Sequence, residues 1–521
     1  MEFELIKCKD GSKGRTDKWF YMKNNCDWID DLSEFTPTSF DMREIVFVAK
    51  MPHKRDGVEL QYSPSFQFIL GLLQVDVEYH KQFKYVDHAS LQLEVRMAYR
   101  DKGDKEDDWK LLVQSNVTRK LECTIEEEKK KPGNDYSCDM MDLFELGHSS
   151  HAFYLLNIRI PIDQAACRYN PNSPNCQIGL LKSLRVIEIH QNGGFTMVWL
   201  WMKTLLSPLI LACLFWFWNR ISQLVRRPLL LEKAIFSLGI SMAVLDLPIE
   251  WISLVIRLPF LLLLSDIRQG LFYFVLFAFW LIFAGEHLIG DSTRNNIVLF
   301  HSDNQFIIIH FQRSYKFNLG FIASASALLL VYDLIERGYQ LSDPFYTIWS
   351  SEHGAKLAYT SISLALILTI AYFVFLFYKI GRVWMTIRSK REAHLYRTSE
   401  NSRLKVEAVI YRFKFLMIFT LICSALTICA YFMKQFGEAQ LHSDEPEDSL
   451  LTHSTSAFFT GTFGMWNIYV VLLLAMYAPS HKQYQGTAAL VDETEGLLDD
   501  PSVGSGTESN PMTTLLKQAH D

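Results

Sequence analysis

Residues 195–218 read FTMVWLWMKTLLSPLILACLFWFW, an apolar run whose one charged residue is Lys203. Six similar runs follow, at 231–256, 268–289, 317–336, 357–379, 411–433 and 457–477. Each is about long enough to cross a hydrocarbon core of ~30 Å as a helix. Backbone amides in lipid must bond within their own segment. We therefore predict a seven-helix membrane domain over 195–477.

The sequence in front of this block, residues 1–194, is typical of a globular β domain. Residues 91–99 alternate between apolar and polar side chains, as a half-buried strand does. Five more strands are predicted between turn-rich or charged stretches. They cover 44–49, 66–77, 109–114, 152–160 and 183–190. We expect a β-sandwich.

Six of the nine cysteines precede the first apolar run. An even number in one domain favours a disulfide framework, and neighbours in sequence are the simplest partners. We predict the pairs Cys8–Cys26, Cys123–Cys138 and Cys167–Cys176. The alternative is a set of free thiols in a cytosolic domain.

The loops differ in charge on the two sides of the predicted bundle. One side carries most of the lysines and arginines, with a dense group between Lys379 and Lys414. Basic loops stay in the cytosol, which places residues 1–194 in the lumen or outside the cell. The N-x-T sequon at Asn116 then lies on the lumenal side and is a predicted glycosylation site.

The start of the sequence does not explain how 194 residues cross a membrane. Met1 is followed directly by polar sequence without the apolar core of a signal peptide. We expect a preceding segment outside this sequence, or else a first helix that acts as a reverse anchor; the former is the better explanation.

Two carboxylates interrupt the second apolar run. Asp246 and Glu250 lie four residues apart around Pro248, on one face of a helix. Intramembrane carboxylates are costly and often mark a cavity or a charged partner. They are equally consistent with residues that cap or pair at the interface. Lys203, by contrast, is expected to extend its side chain to the membrane surface, and Asp266 to cap the third helix.

Reaction machinery is not evident. There is no H-E-x-x-H, no Cys/His spacing suited to a metal, no phosphate-binding glycine loop and no G-x-S-x-G. No basic stripe suggests nucleic acid, and the net charge is −6. The inventory favours binding or transport over catalysis, without a cofactor.

Nine short motifs together resemble those of the Wntless family. They are Arg119–Cys123, Phe153–Arg159, Ile189–Thr196, Asp266–Gly270, Pro344–Tyr346, Arg412–Met417, Ser456–Gly461, Gly464–Asn467 and Tyr477–Lys482. The resemblance covers nearly the whole chain. It implies a lumenal β-sandwich and a bundle partly like a G-protein-coupled receptor. It also implies a further N-terminal helix, which supports a preceding segment.

The resemblance implies a carrier that escorts acylated Wnt proteins through the endoplasmic reticulum, Golgi and endosomes to the plasma membrane. The acyl chain requires an apolar pocket between helices. The candidate lining residues are aromatic or small: Phe279, Trp280, Phe283, Ala327, Phe345, Tyr346, Trp349, Phe458, Phe459 and Trp466. The competing interpretation is that these side chains face membrane lipids.

The tail, residues 478–521, is acidic and rich in Gly, Ser and Thr, and we predict a disordered cytosolic segment. Glu493 precedes Leu497 and Leu498 at the spacing of a sorting motif. Retromer and clathrin adaptors are the partners expected on this side.

The alternative function is a seven-helix signalling receptor. The third run ends Ala284-Gly-Glu-His287 instead of in an acidic-Arg-Tyr triplet, and the last run lacks an N-P-x-x-Y motif. An acyltransferase would need a buried histidine, and His287 lies at the cytosolic end.

Overall fold

The structure is a computed structural model of the 521-residue chain. It describes residues 2–9, 21–22, 26–29, 32, 44–53, 60–81, 83–162, 167, 169–170, 173–224, 228–286, 320–395, 411–426 and 449–479, apart from scattered positions within 320–333 and 411–426. Side chains are described for most of these residues, but not for 2, 285–286, 352, 383–384, 386–395 and 449–459.

Two antiparallel sheets form the N-terminal part of the molecule. The first contains four strands in the order β1 (Glu2–Glu4), β12 (Leu180–His190), β5 (Ile69–Glu78) and β10 (Met141–Leu146). The second contains six, in the order β3 (Asp27–Ile29), β2 (Ile6–Lys9), β4 (Ile45–Met51), β11 (Phe153–Arg159), β6 (Ala89–Arg100) and β7 (Lys110–Leu121). A short ribbon pairs β8 (Cys123–Thr124) with β9 (Ser137–Cys138).

In the strand predicted at 91–99, the alternation of apolar and polar residues over 91–97 matches the alternation of buried and less buried side chains. Leu91, Leu93, Val95 and Met97 are buried in the core between the two sheets. The neighbouring strand β11 is buried on both faces, because a smaller cluster around Leu155 covers the outer side of the six-stranded sheet. All six predicted strands exist, and the sandwich-like arrangement is confirmed.

All three predicted disulfides are present. Cys8–Cys26 links β2 to the residue before β3, and Cys123–Cys138 joins the ribbon strands β8 and β9. Cys167–Cys176 closes a short loop before β12. Neighbour pairing was correct because each pair lies in one hairpin or one loop, so its two cysteines are close in space as well as in sequence.

The helices begin directly after β12. They are α1 (Gly193–Ser222), α2 (Leu230–Asp246), the one-turn α3 (Glu250–Ser253), α4 (Leu261–Glu286), α5 (Glu352–Leu395) and α6 (Ser449–Tyr477). Positions described within 320–340 and 411–426 are also helical. Counting α3 as a continuation of α2, the described residues contain seven helical segments, and five are long and apolar enough to cross a membrane.

Two details differ from the sequence-based expectation. The second apolar run is not one helix, because α2 stops at Asp246 before Leu247 and Pro248 and only one turn follows. The third run begins earlier, at Leu261, so Asp266 lies inside α4 and not at its N-cap. Its carboxylate instead lies 3.7 Å from the Arg337 guanidinium. The apolar Leu261–Leu264 already favours the helix, so no cap at Asp266 is needed.

The loop before α5 contacts the edge of the sandwich. Phe345 is 2% exposed and belongs to the sandwich core, with its ring 6.0 Å from that of Phe144 on β10. The Glu145 amide donates to the Pro344 carbonyl at 2.8 Å, and Ser115 on β7 donates to Asp343 at 2.8 Å. The loop therefore lies between β10 and β7, one edge strand from each sheet.

Arg119 holds this loop in place. Its guanidinium donates to the Asp142 carbonyl at 2.7 Å, to the Leu143 carbonyl at 3.5 Å and to the Phe345 carbonyl at 2.9 Å. Burial lowers its pKa to about 10, which leaves it charged at neutral pH. One buried cation thus joins β7, β10 and the loop before α5.

One further contact joins the sandwich to the start of α1, next to the N-cap of that helix. Asn192 caps α1 by accepting from the Gly194 amide at 2.8 Å, and the Thr196 hydroxyl donates to the Ser65 carbonyl at 2.7 Å. A side chain at Gly193 would come within 2.8 Å of Ser65, so the glycine allows this close approach.

We predict that Arg119→Met destabilises the protein by about 2–4 kcal/mol, because buried carbonyls lose their donor. The apparent melting temperature of the purified chain in nanodiscs should fall by roughly 5–15 °C. Lys120→Met is the matched control, since Lys120 is the exposed next residue. Equal melting of the two variants would contradict the anchoring role.

Candidate functional site: a polar cluster and an aromatic core between the helices

A buried ionic cluster lies where α2 breaks. The Lys203 ammonium of α1 and the Arg268 guanidinium of α4 each lie 2.7 Å from the same Glu250 oxygen, and all three residues are buried. Burying ions costs free energy unless they are paired and hydrogen-bonded. Glu250 therefore brings three membrane segments together.

The end of α2 supplies a further hydrogen-bond acceptor for Arg268. Arg268 also donates to the Leu247 carbonyl at 2.8 Å, one of the carbonyls that the end of α2 leaves without a helical partner. Lys203 was expected at the membrane surface, and that prediction was wrong. Its ammonium group is directed inward because Glu250 offers a charged partner there. The charged partners of Glu250 agree with both interpretations, because a carboxylate at the interface also forms ion pairs.

Asp246 and Asn467 extend the cluster to α6. Asp246 is fully buried, and the Asn467 amide donates to one of its oxygens at 3.3 Å. Several buried polar atoms in this region have no hydrogen-bond partner within the described part of the chain. They are Asp246 Oδ2, Glu250 Oε2, Arg268 Nε, Trp466 Nε1 and Asn467 Oδ1. Buried polar atoms of this kind are commonly satisfied by internal water.

An aromatic core adjoins this cluster between α4 and α6. The Trp280 and Trp466 rings lie 6.0 Å apart, and the Trp280 indole donates to the Tyr469 hydroxyl at 3.1 Å. Phe279 and Phe283 are buried in the same cluster. Four residues predicted for the acyl-chain pocket thus come together: Phe279, Trp280, Phe283 and Trp466.

The other predicted pocket residues lie elsewhere. Phe345 is in the sandwich core, while Tyr346 packs against Tyr339 and Trp349 against Tyr359, each pair with ring centroids 4.9 Å apart. Ala327 is exposed on the helical segment 320–340. Phe458 and Phe459 belong to α6, but their side chains lie outside the described ones.

A second aromatic group, absent from our sequence-based set, joins α4 to α5. Phe277 lies 5.4 Å from Tyr372 and 5.8 Å from Phe373, and the Tyr372 hydroxyl donates to the Phe277 carbonyl at 2.9 Å. Tyr273 and Phe277 are half-buried, unlike the fully enclosed Trp280. Helical spacing of four residues between Tyr273 and Phe277 was the available indication of a shared face.

Comparison with known proteins covers both parts of the chain. A family described as "Wntless, GOLD domain" matches residues 6–191, and one described as "Wntless-like, transmembrane domain" matches residues 192–481.

The chain belongs to the Wntless family.

Relatives in the family match over most of their length. "Protein wntless homolog" of Caenorhabditis elegans is 64% identical over 100% of this chain and 92% of its own. The Homo sapiens protein of the same name is 38% identical over 99% of this chain and 89% of its own. "Protein wntless" of Drosophila sechellia is 42% identical over 85% of this chain and 75% of its own.

Membership in the Wntless family identifies a multi-pass membrane protein with a role in Wnt secretion, and not an enzyme. Across the described residues, no group of three or more His, Cys, Asp or Glu side chains could hold a metal ion. The described site is built from aromatic packing, hydrogen bonds and ion pairs.

We predict that Glu250→Gln is more damaging than Lys203→Met. The first leaves Lys203 and Arg268 buried side by side without a counter-ion, at a cost of about 3–5 kcal/mol. The second leaves the pair of Glu250 and Arg268 intact. The measurement is the apparent melting temperature of each purified variant in nanodiscs. A larger loss for Lys203→Met would contradict a cluster centred on Glu250.

Proposed function

We propose that the chain is a cargo carrier that binds acylated Wnt proteins in the lumen of the secretory pathway and escorts them to the cell surface. The observation that carries the proposal is the family match across both the sandwich and the membrane domain. The route would run through the endoplasmic reticulum, Golgi and plasma membrane, with the sandwich on the lumenal side and the C-terminus in the cytosol.

The free energy of the acyl chain explains why such a carrier needs a membrane domain. A palmitoleoyl chain has about fourteen buriable methylenes, and exposing them to water costs on the order of 11 kcal/mol at ~0.8 kcal/mol each. Transfer from the bilayer to an apolar site between helices is nearly neutral, because both surroundings are apolar. The net affinity then comes mainly from contacts with the protein part of Wnt.

The half-buried aromatic face of α4 is the best-supported contact for the acyl chain. The Trp280 core is filled by its own side chains, whereas Tyr273 and Phe277 retain exposed surface beside Tyr372 and Phe373 of α5. A chain between α4 and α5 would pack on these rings without opening the core. Phe279, Trp280, Phe283 and Trp466 would then support the site from behind.

The sandwich is the natural contact for the protein part of Wnt. It is attached to the helices by Arg119, Phe345 and Thr196, so the two parts present one continuous surface. Such preorganisation reduces the entropy lost on binding. Asn116 is exposed on β7, where a glycan is sterically permitted.

The direct test is co-purification of Wnt with the full chain from secreting cells. We expect Phe277→Ala to retain about five-fold less acylated Wnt than wild type, equivalent to about 1 kcal/mol. Phe415→Ala is the matched control, since Phe415 is 54% exposed on the 411–426 segment.

A Wnt whose acylated serine is replaced measures the contribution of the lipid. It should still bind wild type through its protein surface and should not distinguish the two variants. Equal recovery of acylated Wnt with Phe277→Ala and wild type, at equal carrier abundance, would place the acyl chain elsewhere. Failure of wild type to retain any Wnt would refute the carrier itself.

The tail is proposed to return the empty carrier from the cell surface through clathrin adaptors, retromer and endosomes. Glu493, Leu497 and Leu498 lie outside the described residues, so this proposal rests on their spacing in the sequence. An acidic residue before two leucines, in an acidic segment rich in Gly, Ser and Thr, suits recognition as an extended peptide.

We predict that alanine at both Leu497 and Leu498 leaves Wnt binding unchanged and slows internalisation several-fold. Surface biotinylation followed over time measures this rate. Leu515→Ala with Leu516→Ala provides a dileucine control, because Pro511 and not an acidic residue stands four positions before it. Internalisation at the wild-type rate would exclude the motif.

A further inference from the structure

Two consecutive leucines are exposed at the start of strand β7. Leu111 is 52% and Leu112 is 37% exposed, although both lie in a strand of a well-packed sheet. Met97 and Ala98 on β6 pair with Val113 and Leu111, so Leu112 is the extra residue of a β-bulge in β7. The bulge breaks the usual alternation, so two neighbouring apolar side chains are left outside the core.

A chain of contacts links these leucines to the membrane domain. Lys110 lies 3.0 Å from Asp104, whose carboxylate also accepts from the Asp101 amide at 3.1 Å. Asp101 in turn lies 3.2 Å from Arg257, in the connection between α3 and α4. The start of β7 is therefore beside the loop that joins two membrane-spanning segments.

That loop is itself apolar and exposed. Val255 is 87% and Ile256 is 56% exposed, and both immediately precede Arg257. A connection between two membrane-spanning helices lies at or near headgroup depth. Exposed aliphatic side chains at this depth contact the bilayer, as they do along the helices.

The attachment of the sandwich keeps β7 at this level. Ser115 and Arg119, further along the same strand, contact the loop that precedes α5. Strand β7 thus contacts the loop before α5 directly, and Asp104 and Asp101 link its start to the loop between α3 and α4. An edge strand held in this way cannot turn Leu111 and Leu112 far from the membrane surface.

We propose that Leu111 and Leu112 lie in the headgroup region of the adjoining leaflet, so that the sandwich, together with Val255 and Ile256, binds the lipid surface directly. The bilayer is the occupant because the leucines are continuous with a loop that already lies at its surface. This interaction is independent of cargo. A protein partner on the same leucines is the competing outcome.

The test uses the full chain in nanodiscs of phosphatidylcholine, without Wnt. The photoreactive amino acid p-benzoylphenylalanine replaces Leu112, and mass spectrometry of the irradiated protein measures phospholipid adducts on that peptide. Trp28 is the matched control position. It is 51% exposed on β3, the opposite edge of the same sheet, about 24 Å away over five strand spacings.

We expect at least five-fold more phospholipid adduct at position 112 than at position 28. Equal yields at the two positions would overturn the proposal. Adducts at position 112 that form with a co-purified protein and not with lipid would overturn it as well, in favour of a protein-binding surface. If the Leu112 variant does not fold, the same comparison is made at Leu111.

Discussion

The membrane domain depends on a single carboxylate, Glu250, because two buried cations need it as their counter-ion. Lys203 and Arg268 come from different helices, and both ion-pair with the same oxygen atom inside the bundle. Each charge is costly in an apolar medium unless the others are present. The same arginine stabilises the break in the second helix, because Arg268 also donates a hydrogen bond to the Leu247 carbonyl at the end of α2. Charge pairing and helix termination are therefore parts of one arrangement.

The sandwich and the helices are joined by a comparable device. Arg119 lies in an edge strand of one sheet and binds carbonyls of an edge strand of the other, as well as one from the loop before α5. Edge strands carry unpaired backbone groups that proteins usually cover. Here the cover is supplied by the loop 343–346, and the same contact fixes the orientation of the sandwich over the bundle. The loop 343–346 therefore both covers the edge strands β7 and β10 and positions the sandwich.

The sequence predicted secondary structure best where a short window of residues determines it. Strand 91–99 and the run 195–218 were found because alternation and hydrophobic length are properties of short windows. The direction of Lys203 could not be predicted, since it depends on Glu250, which is 47 residues away in the chain. Phe345 was placed with the acyl-chain site on its aromatic character, yet it lies in the sandwich core. Its partners Phe144 and Arg119 are about 200 residues earlier in sequence, beyond the reach of any local pattern.

The location of Phe345 also determines the order in which the protein is completed during synthesis. Arg119 and Phe345 are separated by 226 residues. The last strand of the sandwich ends at His190, 155 residues before Phe345. At ribosomal rates of about 5–20 residues per second, the sandwich therefore waits roughly 8–31 s for this core residue. During that interval several helices must enter the membrane while the edges of both sheets stay uncovered. The nascent sandwich in this state exposes the apolar surface that Phe345 later covers, and transiently exposed apolar surface is what chaperones bind.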